Sequence, residues 1–266
     1  MHTRIRRRLG PSFSEKSLRS QEPVINGYVD LLMHRLKERV GQTVDLADWM
    51  NFTTFDIIGD LAYADSFDCL KNVAYHPWIS LTFDFLKAAV YIQIMQWIPG
   101  ALRIMNALLP PSMRKSRDYH MDLTREKVRN RIAMGDSRPD FMDHIVATIK
   151  EEDGLSVGEI EATSEVIIIA GSETTATLLS GCFYFLLTHP HAYKRLVEEI
   201  RGTFREEKDI KYDNVKNCKY MSAVLEESLR MYPPVPTTMQ RQVPGKGEKI
   251  EGQWVPGGTK VGVAHW

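Results

Sequence analysis

The sequence feature that most constrains the fold is a long segment, residues 157–189, whose second half is almost entirely apolar. Ser156 and Glu159 stand three positions apart in a capping-box pattern, which predicts that a helix begins here. Pro190 predicts its end. Such a helix would be about 45–50 Å long at 1.5 Å per residue. Because its second half is apolar nearly all round, we expect it to cross the interior of a mainly helical protein.

One polar interruption divides this helix, the sequence Ala170-Gly171-Ser172-Glu173-Thr174-Thr175. A buried polar group without a partner costs about 2–7 kcal/mol, so these side chains need a reason to be there. Threonine hydroxyls bond back to the carbonyl four residues earlier, and a Gly/Ser pair is a known kink site. Together they would open the helix slightly and leave room for water or a ligand. The alternative is a polar face that meets another polar surface.

The remaining sequence predicts one domain, residues 1–266, of mainly α class with a small β element at its C-terminal end. There is no internal repeat, and no linker is long enough to separate domains. The segment Ile250–Val261 predicts two short strands around a turn. Apolar periodicity or flanking signals predict further helices over residues 24–40, 46–63, 119–134, 141–152, 191–205 and 221–231.

Composition excludes several classes of protein. Lys plus Arg and Asp plus Glu number 34 each, which gives no support for a globally basic nucleic-acid binder. Cys69, Cys182 and Cys218 are widely spaced and show no metal-ligand pattern. We therefore predict three ordinary thiols, no disulfide framework and no zinc site, as suits a reducing compartment.

The sequence predicts neither a secretory signal nor a membrane span. Residues 83–109 are broken by Lys87, Pro99 and Arg103. Residues 166–187 carry Glu173, which would cost roughly 2.5–3.5 kcal/mol in mid-bilayer. Both segments are better interpreted as buried or interface-facing helices.

Two charged groups each allow more than one interpretation. Glu227 and Arg230 lie one helical turn apart, and the default for such a pair is a solvated salt bridge. The arginines near the N-terminus form a short basic run that would suit a nucleic-acid or localisation patch. A solvated helix face is a better interpretation, because the run lacks an aromatic platform and the chain has no net charge. That basic run is Arg4, Arg6, Arg7 and Arg8.

The motifs in combination resemble the cytochrome P-450 family of haem–thiolate monooxygenases. Ala-Gly-x-Glu-Thr-Thr in a long buried helix precedes Glu-x-x-Arg at 227–230 and Tyr-Pro-Pro at 232–234. Residues 2–14 look like the family's haem-flanking basic helix with its Phe-Ser turn, and residues 254–259 like part of its C-terminal strand pair. The sequences of these motifs are most similar to those of fungal family members that act in secondary metabolism. The resemblance spans essentially the whole chain.

The resemblance implies roles for matching residues only. Glu173 and Thr174 match the acid and threonine that deliver protons during oxygen activation. Basic side chains match groups that hold the propionates of haem b, and charge-assisted bonds from arginine are strong. These propionate candidates are His2, Arg6 and Arg241. Glu227 and Arg230 match a buried structural ion pair that the family closes with a third partner.

The sequence departs from the family in one central respect. A Phe-x-x-Gly-x-x-x-Cys-x-Gly loop, which carries the axial thiolate in the family, does not occur in the 266 residues. None of the three cysteines matches that position, so no metal ligand is assigned. The chain therefore looks truncated, without the family's N-terminal anchor or its C-terminal haem-cysteine loop. By itself it is expected to lack haem–thiolate spectroscopy.

Two functions follow as expectations. The first is a monooxygenase that inserts one oxygen atom into an apolar small molecule, with electrons from an NADPH-dependent cytochrome reductase. Residues 83–109 would then form its substrate-entry and membrane-facing region, although plain packing explains them equally well. Full-length members are expected at the endoplasmic reticulum membrane, whereas this chain, with no anchor, is expected in the cytoplasm or at a site that the sequence does not define. The second is an inactive, truncated paralogue that binds a ligand or partner without redox chemistry.

Overall fold

The computed structural model describes residues 2–81, 83, 95, 98, 100, 111–135, 138–238 and 240–263. Within these residues the protein is mainly helical, as predicted. The helices are α1 (His2–Leu9), α2 (Glu15–Lys37), α3 (Leu46–Tyr63), α4 (Cys69–Asn72), α5 (Pro111–Ala133), α6 (Asp143–Ala147), α7 (Val157–Thr188), α8 (Pro190–Thr203), α9 (Tyr212–Val215) and α10 (Lys219–Met231), with 3-10 turns at Gly10–Phe13 and Glu207–Asp209.

The long helix α7 begins and ends where the sequence predicted. Ser156 Oγ accepts from the Glu159 backbone N–H, and the Glu159 side chain accepts from the Ser156 backbone N–H, so the capping box is complete. Its buried residues recur every four positions, at 160, 164, 168, 172 and 176, which defines one buried face. The helix packs into the interior along this face, as predicted, but its apolar residues are not all buried: Val166, Tyr184 and Leu187 are 64–69% exposed.

Helix α7 packs against α3 more extensively than any other described pair of elements. The Ile58 side chain of α3 packs directly against Gly171, where an added Cβ atom would lie 2.6 Å from Ile58 Cδ1. Helix α7 is also the one described helix long and apolar enough to cross a membrane by length and composition. Its extensive packing against α3 is typical of a helix in the core of a protein.

An aromatic cluster forms the core around α3. Phe55 packs edge-on against Phe67, and the Phe67 ring stacks on Trp78 with centroids 5.1 Å apart. Trp78 and Phe55 are fully buried. Such offset and edge-on arrangements are the favoured geometries of aromatic pairs. This core fixes the α3 surface on which α7 lies.

Two buried carboxylates anchor the chain around that core. Asp56 accepts from the backbone N–H groups of Cys69 and Leu70, at 2.9 and 2.8 Å, and so holds the start of α4. Asp140 forms a fully buried bidentate pair with Arg131, with N···O distances of 2.7 and 2.9 Å. Asp140 Oδ1 also accepts from two backbone N–H groups at the start of α6.

Three predicted helices have different bounds, and one of them, predicted over residues 119–134, begins at Pro111. The helix predicted over residues 24–40 begins at Glu15, because Ser14 caps it by accepting from the Ser17 N–H, and Pro23 lies inside it. The helix predicted over residues 141–152 is limited to α6. The chain turns after Ala147, with a bond from the Glu151 N–H to the Thr148 carbonyl.

The C-terminal β element is confirmed, but its pairing differs from a single strand pair. Strands β1 (Arg241–Gln242) and β4 (Lys260–Val261) form one antiparallel pair. Strands β2 (Glu248–Ile250) and β3 (Gln253–Val255) form another. Glu251 and Gly252 join β2 to β3 with φ values of 48° and 79°, the pattern of a tight two-residue hairpin turn. The two strands predicted within residues 250–261 therefore pair with earlier strands, not with each other.

Candidate functional site

The polar residues of α7 satisfy their hydroxyl groups within the helix. Ser172 Oγ donates to the Ile168 carbonyl and Thr174 Oγ1 donates to the Ala170 carbonyl, both at 2.6 Å. This is the back-bonding that the sequence predicted. Helix α7 nevertheless continues without a break through residues 171–175. Each donated proton leaves the oxygen lone pairs of that hydroxyl available as acceptors.

Glu173 is the polar residue that the helix does not satisfy. Its side chain is half-buried, and its Oε1 atom is buried without a hydrogen-bond partner among the described residues. Burial raises the pKa of Glu173 above its ordinary value. A carboxyl group whose pKa is raised toward neutral pH can carry a proton into a site, which is the requirement for a general acid. The role that the resemblance implied for Glu173 stays a prediction.

Sequence reasoning missed a polar group around Tyr75, which lies near enough to Glu173 for the charge of Glu173 to act on it. Tyr75 Oη donates to Asp48 Oδ1 at 2.8 Å. Burial, the hydrogen bond to Asp48 and the charge of Asp48 raise the pKa of Tyr75, and the charge of Glu173 adds to this effect. Asn51 Oδ1 is also buried without a partner among the described residues. No local pattern in the sequence links these residues, since they come from α3 and from the segment after α4.

The exposed side of α7 forms an open surface next to Glu173. Val166 is 64% exposed, Ala170 and Thr175 are exposed, and Thr174 is half-buried. Residues 171–175 line neither of the two cavities described below. The predicted interruption therefore has a buried side, at Ser172, and an open side, at Thr175.

The four arginines of the basic run have different environments. Arg4 forms an ion pair with Glu159, in the first turn of α7. Arg7 and Arg8 both pair with Asp153, and Arg8 also pairs with Glu151 at 2.7 Å. Arg6 has no ion pair among the described residues and is exposed. Three of the four charges are thus neutralised within the protein, which argues against a nucleic-acid patch.

Arg6 borders a cavity of about 450 Å³ with apolar neighbours Ile5, Leu9 and Phe13. An unpaired guanidinium beside an apolar cavity suits a ligand that has an apolar body and an anionic edge. Arg241 lies exposed on β1, where its Nη1 atom donates to the Gln240 carbonyl at 3.1 Å. His2 begins α1, and its side chain lies outside the described residues. The proximity of these three side chains to one another stays a prediction.

Glu227 and Arg230 form the predicted ion pair. Arg230 Nε and Nη2 donate to the two carboxylate oxygens at 2.7 and 2.6 Å. These bonds lower the pKa of Glu227 and raise that of Arg230. The side chains are 60% and 66% exposed, so the pair is solvated here and not buried as the resemblance implied. Arg230 Nη2 also donates to Met231 Sδ at 3.0 Å, but no third ionic partner of the pair occurs among the described residues.

The residues present fit haem only in part. The unpaired Arg6 guanidinium suits a propionate, and the open side of α7 with the unpartnered Glu173 oxygen suits the oxygen-binding side. An iron ligand is lacking among the described residues: all three cysteines are free and buried, and no group of three or more His, Cys, Asp or Glu side chains suits a metal ion. Burial raises the pKa of Cys69 to about 12, so this thiol stays protonated.

Comparison with known proteins finds relatives in the family that the motifs resemble. Cytochrome P450 monooxygenase astA of Talaromyces wortmannii is 43% identical over 265 residues, which cover 100% of this chain and 54% of the relative. Trichothecene C-4 hydroxylase of Trichoderma arundinaceum is 42% identical over 270 residues, covering 98% of this chain and 54% of the relative. The chain thus spans about half the length of the curated relatives it matches.

Solved structures show the same fold. The crystal structure of the cytochrome P450DA heme domain matches with a TM-score of 0.77 at 22% identity, covering 98% of this chain and 54% of that one. The family model described as Cytochrome P450 matches residues 1–266. These matches include every motif on which the resemblance depended. The chain therefore belongs to the cytochrome P450 family.

Proposed function

We propose that this chain forms the central helical part of a haem-dependent monooxygenase that oxidises an apolar small molecule in fungal secondary metabolism. Family membership and the names of relatives such as the trichothecene C-4 hydroxylase support the reaction class. The observation that carries the proposal is the unpartnered Glu173 carboxyl beside the Thr174 hydroxyl, in the middle of a helix whose exposed side is apolar.

Glu173 and Thr174 have complementary roles in this proposal. The raised pKa of Glu173 lets the carboxyl hold a proton at higher pH than a solvated glutamate would. Thr174 Oγ1 donates its own proton to the Ala170 carbonyl, so its lone pairs can accept a hydrogen bond from a proton donor. Glu173 thus supplies the proton, and Thr174 orients the group or water that receives it.

Haem b is the cofactor that this function requires, and when bound it supplies oxygen activation. Arg6 and Arg241 would bind its propionates, with His2 as a further candidate. The three buried cysteines do not supply the axial thiolate in this arrangement. The iron ligand therefore has to come from outside the described residues.

An NADPH-dependent cytochrome reductase is the proposed electron donor, since family members use a redox partner. The proposed location of the full-length protein is the endoplasmic reticulum membrane. The region proposed for substrate entry, residues 83–109, lies outside the described residues except at 83, 95, 98 and 100.

The test compares variants of the complete gene product, coexpressed with a cytochrome reductase and assayed with 7-ethoxycoumarin as an apolar probe. Thr174→Ala is expected to lower the O-dealkylation rate at least tenfold, because positioned proton transfer contributes about 10²–10⁴-fold. Ser180→Ala is the matched control, since Ser180 also bonds back within α7, to the Ala176 carbonyl at 2.7 Å. Equal loss in both variants, or none in Thr174→Ala, would contradict the role of Thr174.

A second function, binding of an apolar ligand without redox chemistry, is favoured by one observation. A cavity of about 400 Å³ lies between α7, α8 and α10, and Phe185, Leu186, Val224 and Met231 are among its apolar lining residues. This volume suits a small ligand. A gene product without any haem–thiolate band that still binds an apolar fluorescent dye, with loss of binding in Met231→Glu, would support this function over the first.

A further inference from the structure

The basic helix α1 is held by an acidic segment at the start of α7. Its arginines form four ion pairs with residues 151–159, and these pairs join three positive to three negative charges. The arginines are Arg4, Arg7 and Arg8, and the carboxylates are those of Glu151, Asp153 and Glu159. The charges of α1 are thus balanced except at Arg6, the side chain that borders the cavity.

These ion pairs are open to solvent on their acidic side. The side chains of Glu151 and Asp153 are 54% and 44% exposed, whereas that of Arg8 is 12% exposed. Arg8 Nε is buried without a hydrogen-bond partner among the described residues, so its guanidinium group depends on these two carboxylates. Salt screens such pairs, because the Debye length falls from about 10 Å at 0.1 M to about 3 Å at 1 M. The attraction between α1 and the acidic segment should therefore weaken as ionic strength rises.

The apolar contacts of α1 are limited. Its sequence contains two apolar residues, Ile5 and Leu9, which are partly buried against the core and also line the cavity of about 450 Å³ beside Arg6. An isolated helix of fewer than about 12–15 residues is marginal in water, and α1 has eight. The helical order of α1 therefore depends strongly on its ion pairs.

Uncharged contacts fix the turn that follows α1. Ser12 Oγ donates to the Phe141 carbonyl at 2.8 Å, and the Phe13 ring stacks on Phe141 with centroids 4.7 Å apart. Gln21 Nε2 also donates to the Ser12 carbonyl, at 3.3 Å. Because none of these contacts joins net charges, salt does not screen them. The turn Gly10–Phe13 can therefore stay in place while α1 moves.

We propose that the three carboxylates of residues 151–159 form an ionic latch, which holds α1 against the start of α7 and opens as ionic strength rises. While the latch is closed, Arg6 has a defined position at its cavity. When the latch opens, α1 pivots on the turn Gly10–Phe13 and loses helical order. The latch stands on the contacts of α1 alone, whereas its effect on a ligand at Arg6 rests on the proposed function.

Hydrogen–deuterium exchange of the 266-residue chain, measured by mass spectrometry without haem, tests the latch. Raising NaCl from about 0.05 M to about 1 M is expected to speed exchange of the α1 amides about three- to tenfold, since exposed ion pairs contribute about 1.4- to 5-fold each. Rates are taken relative to an isolated peptide of residues 2–9, which removes the effect of salt on intrinsic exchange. Exchange of residues 160–176 in α7 should change much less.

Two arginines of the same helix provide the matched comparison. Arg8→Gln removes two latch pairs, so it is expected to speed α1 exchange at low salt about two- to tenfold and to reduce the response to salt. Arg6→Gln removes the same charge but no latch pair, so its exchange rate and salt response should stay close to wild type. Asp153→Asn should resemble Arg8→Gln, because Asp153 pairs with both Arg7 and Arg8.

A further control changes an aspartate of another ion pair. Asp213→Asn removes the partner of Arg19, at 2.9 Å, and should leave α1 exchange unchanged. Exchange of α1 that does not respond to salt in wild type, or equal salt responses in wild type, Arg8→Gln and Asp153→Asn, would overturn the latch. An increase as large in residues 160–176 as in α1 would also overturn it, because the opening would then be global. Since no haem is present, failure of the proposed ligand contact of Arg6 would leave these outcomes unchanged.

Discussion

The four arginines of the basic run have different partners because the fold places them in different surroundings. Arg4, Arg7 and Arg8 are engaged by acidic residues of the segment 151–159, whereas Arg6 faces a cavity. The sequence predicts a basic helix and a role for Arg6 by resemblance, but it contains no signal for these partners, which lie about 145–155 positions away. The surroundings of Glu173 are unpredictable for the same reason.

We expect Glu173 to lower the free energy of unfolding at pH values where its carboxyl group is ionised. Its raised pKa means that the ionised form is disfavoured in the folded protein, so its stability contribution is full below pH 4.5 and is lost as the pH rises through the folded pKa. We expect Glu173→Gln to be more stable than wild type at pH 8, by less than about 1 kcal/mol because water screens a half-buried group. The difference should disappear at pH 4.5.

Urea unfolding across this pH range measures the effect of Glu173→Gln. Glu198→Gln serves as the control for loss of an exposed glutamate, since Glu198 is 64% exposed on α8. A Glu173→Gln variant less stable than wild type at pH 8 would mean that the carboxylate makes a stabilising contact.

Elements were predictable where their signals are local. The bounds of α3 and the capped start of α7 agree with the sequence because periodicity and caps lie within the element. The pairing of β1 with β4 was not predictable, because it joins residues about 20 positions apart across a hairpin. Likewise, the exposed side of α7 is apolar, so composition could not separate it from the buried side.

Two glycines of α7 should respond to alanine in opposite ways. At Gly171 a Cβ atom would lie 2.6 Å from Ile58 Cδ1, so Gly171→Ala should destabilise the protein by about 1–3 kcal/mol through overpacking. At Gly158 nothing lies within 4 Å, so Gly158→Ala should stabilise it by about 0.5–1 kcal/mol through helix propensity.

Chemical denaturation of both variants measures these changes. Ile58→Val should partly rescue Gly171→Ala, because it removes the Cδ1 atom that the new methyl group meets. Similar stability changes in the two glycine variants would show that α3 does not approach α7 as closely as described.

At the scale of the whole molecule, fold and site were predictable to different degrees. The combination of α7, Glu227-x-x-Arg230 and the basic helix α1 led to the correct fold, since each motif has a fixed place in it. The resemblance did not predict the environment of each motif: it implied a buried Glu227–Arg230 pair, whereas the pair is solvated, which is the default for residues at this spacing. The exposure of these two side chains depends on which residues pack over α10, and the sequence of the pair itself contains no information about that.

Spectroscopy of the 266-residue chain tests the arrangement as a whole. The purified chain reconstituted with haem, reduced and exposed to CO should give no thiolate-type band, because its cysteines are buried and lie in packed positions. Cys182→Ser should leave the spectrum unchanged. A thiolate-type band in wild type that disappears in any one cysteine variant would contradict the placement of that cysteine.

The ion pair between Arg4 and Glu159 has a mechanical consequence. It joins α1 to the first turn of α7, and Thr174 lies fifteen residues further along that helix, about 22 Å at 1.5 Å per residue. A ligand bound at Arg6 would therefore be linked, through α1 and this ion pair, to the start of the helix that carries Glu173 and Thr174. We expect a tilt of α7 to move α1, and Arg6 with it, in the same direction.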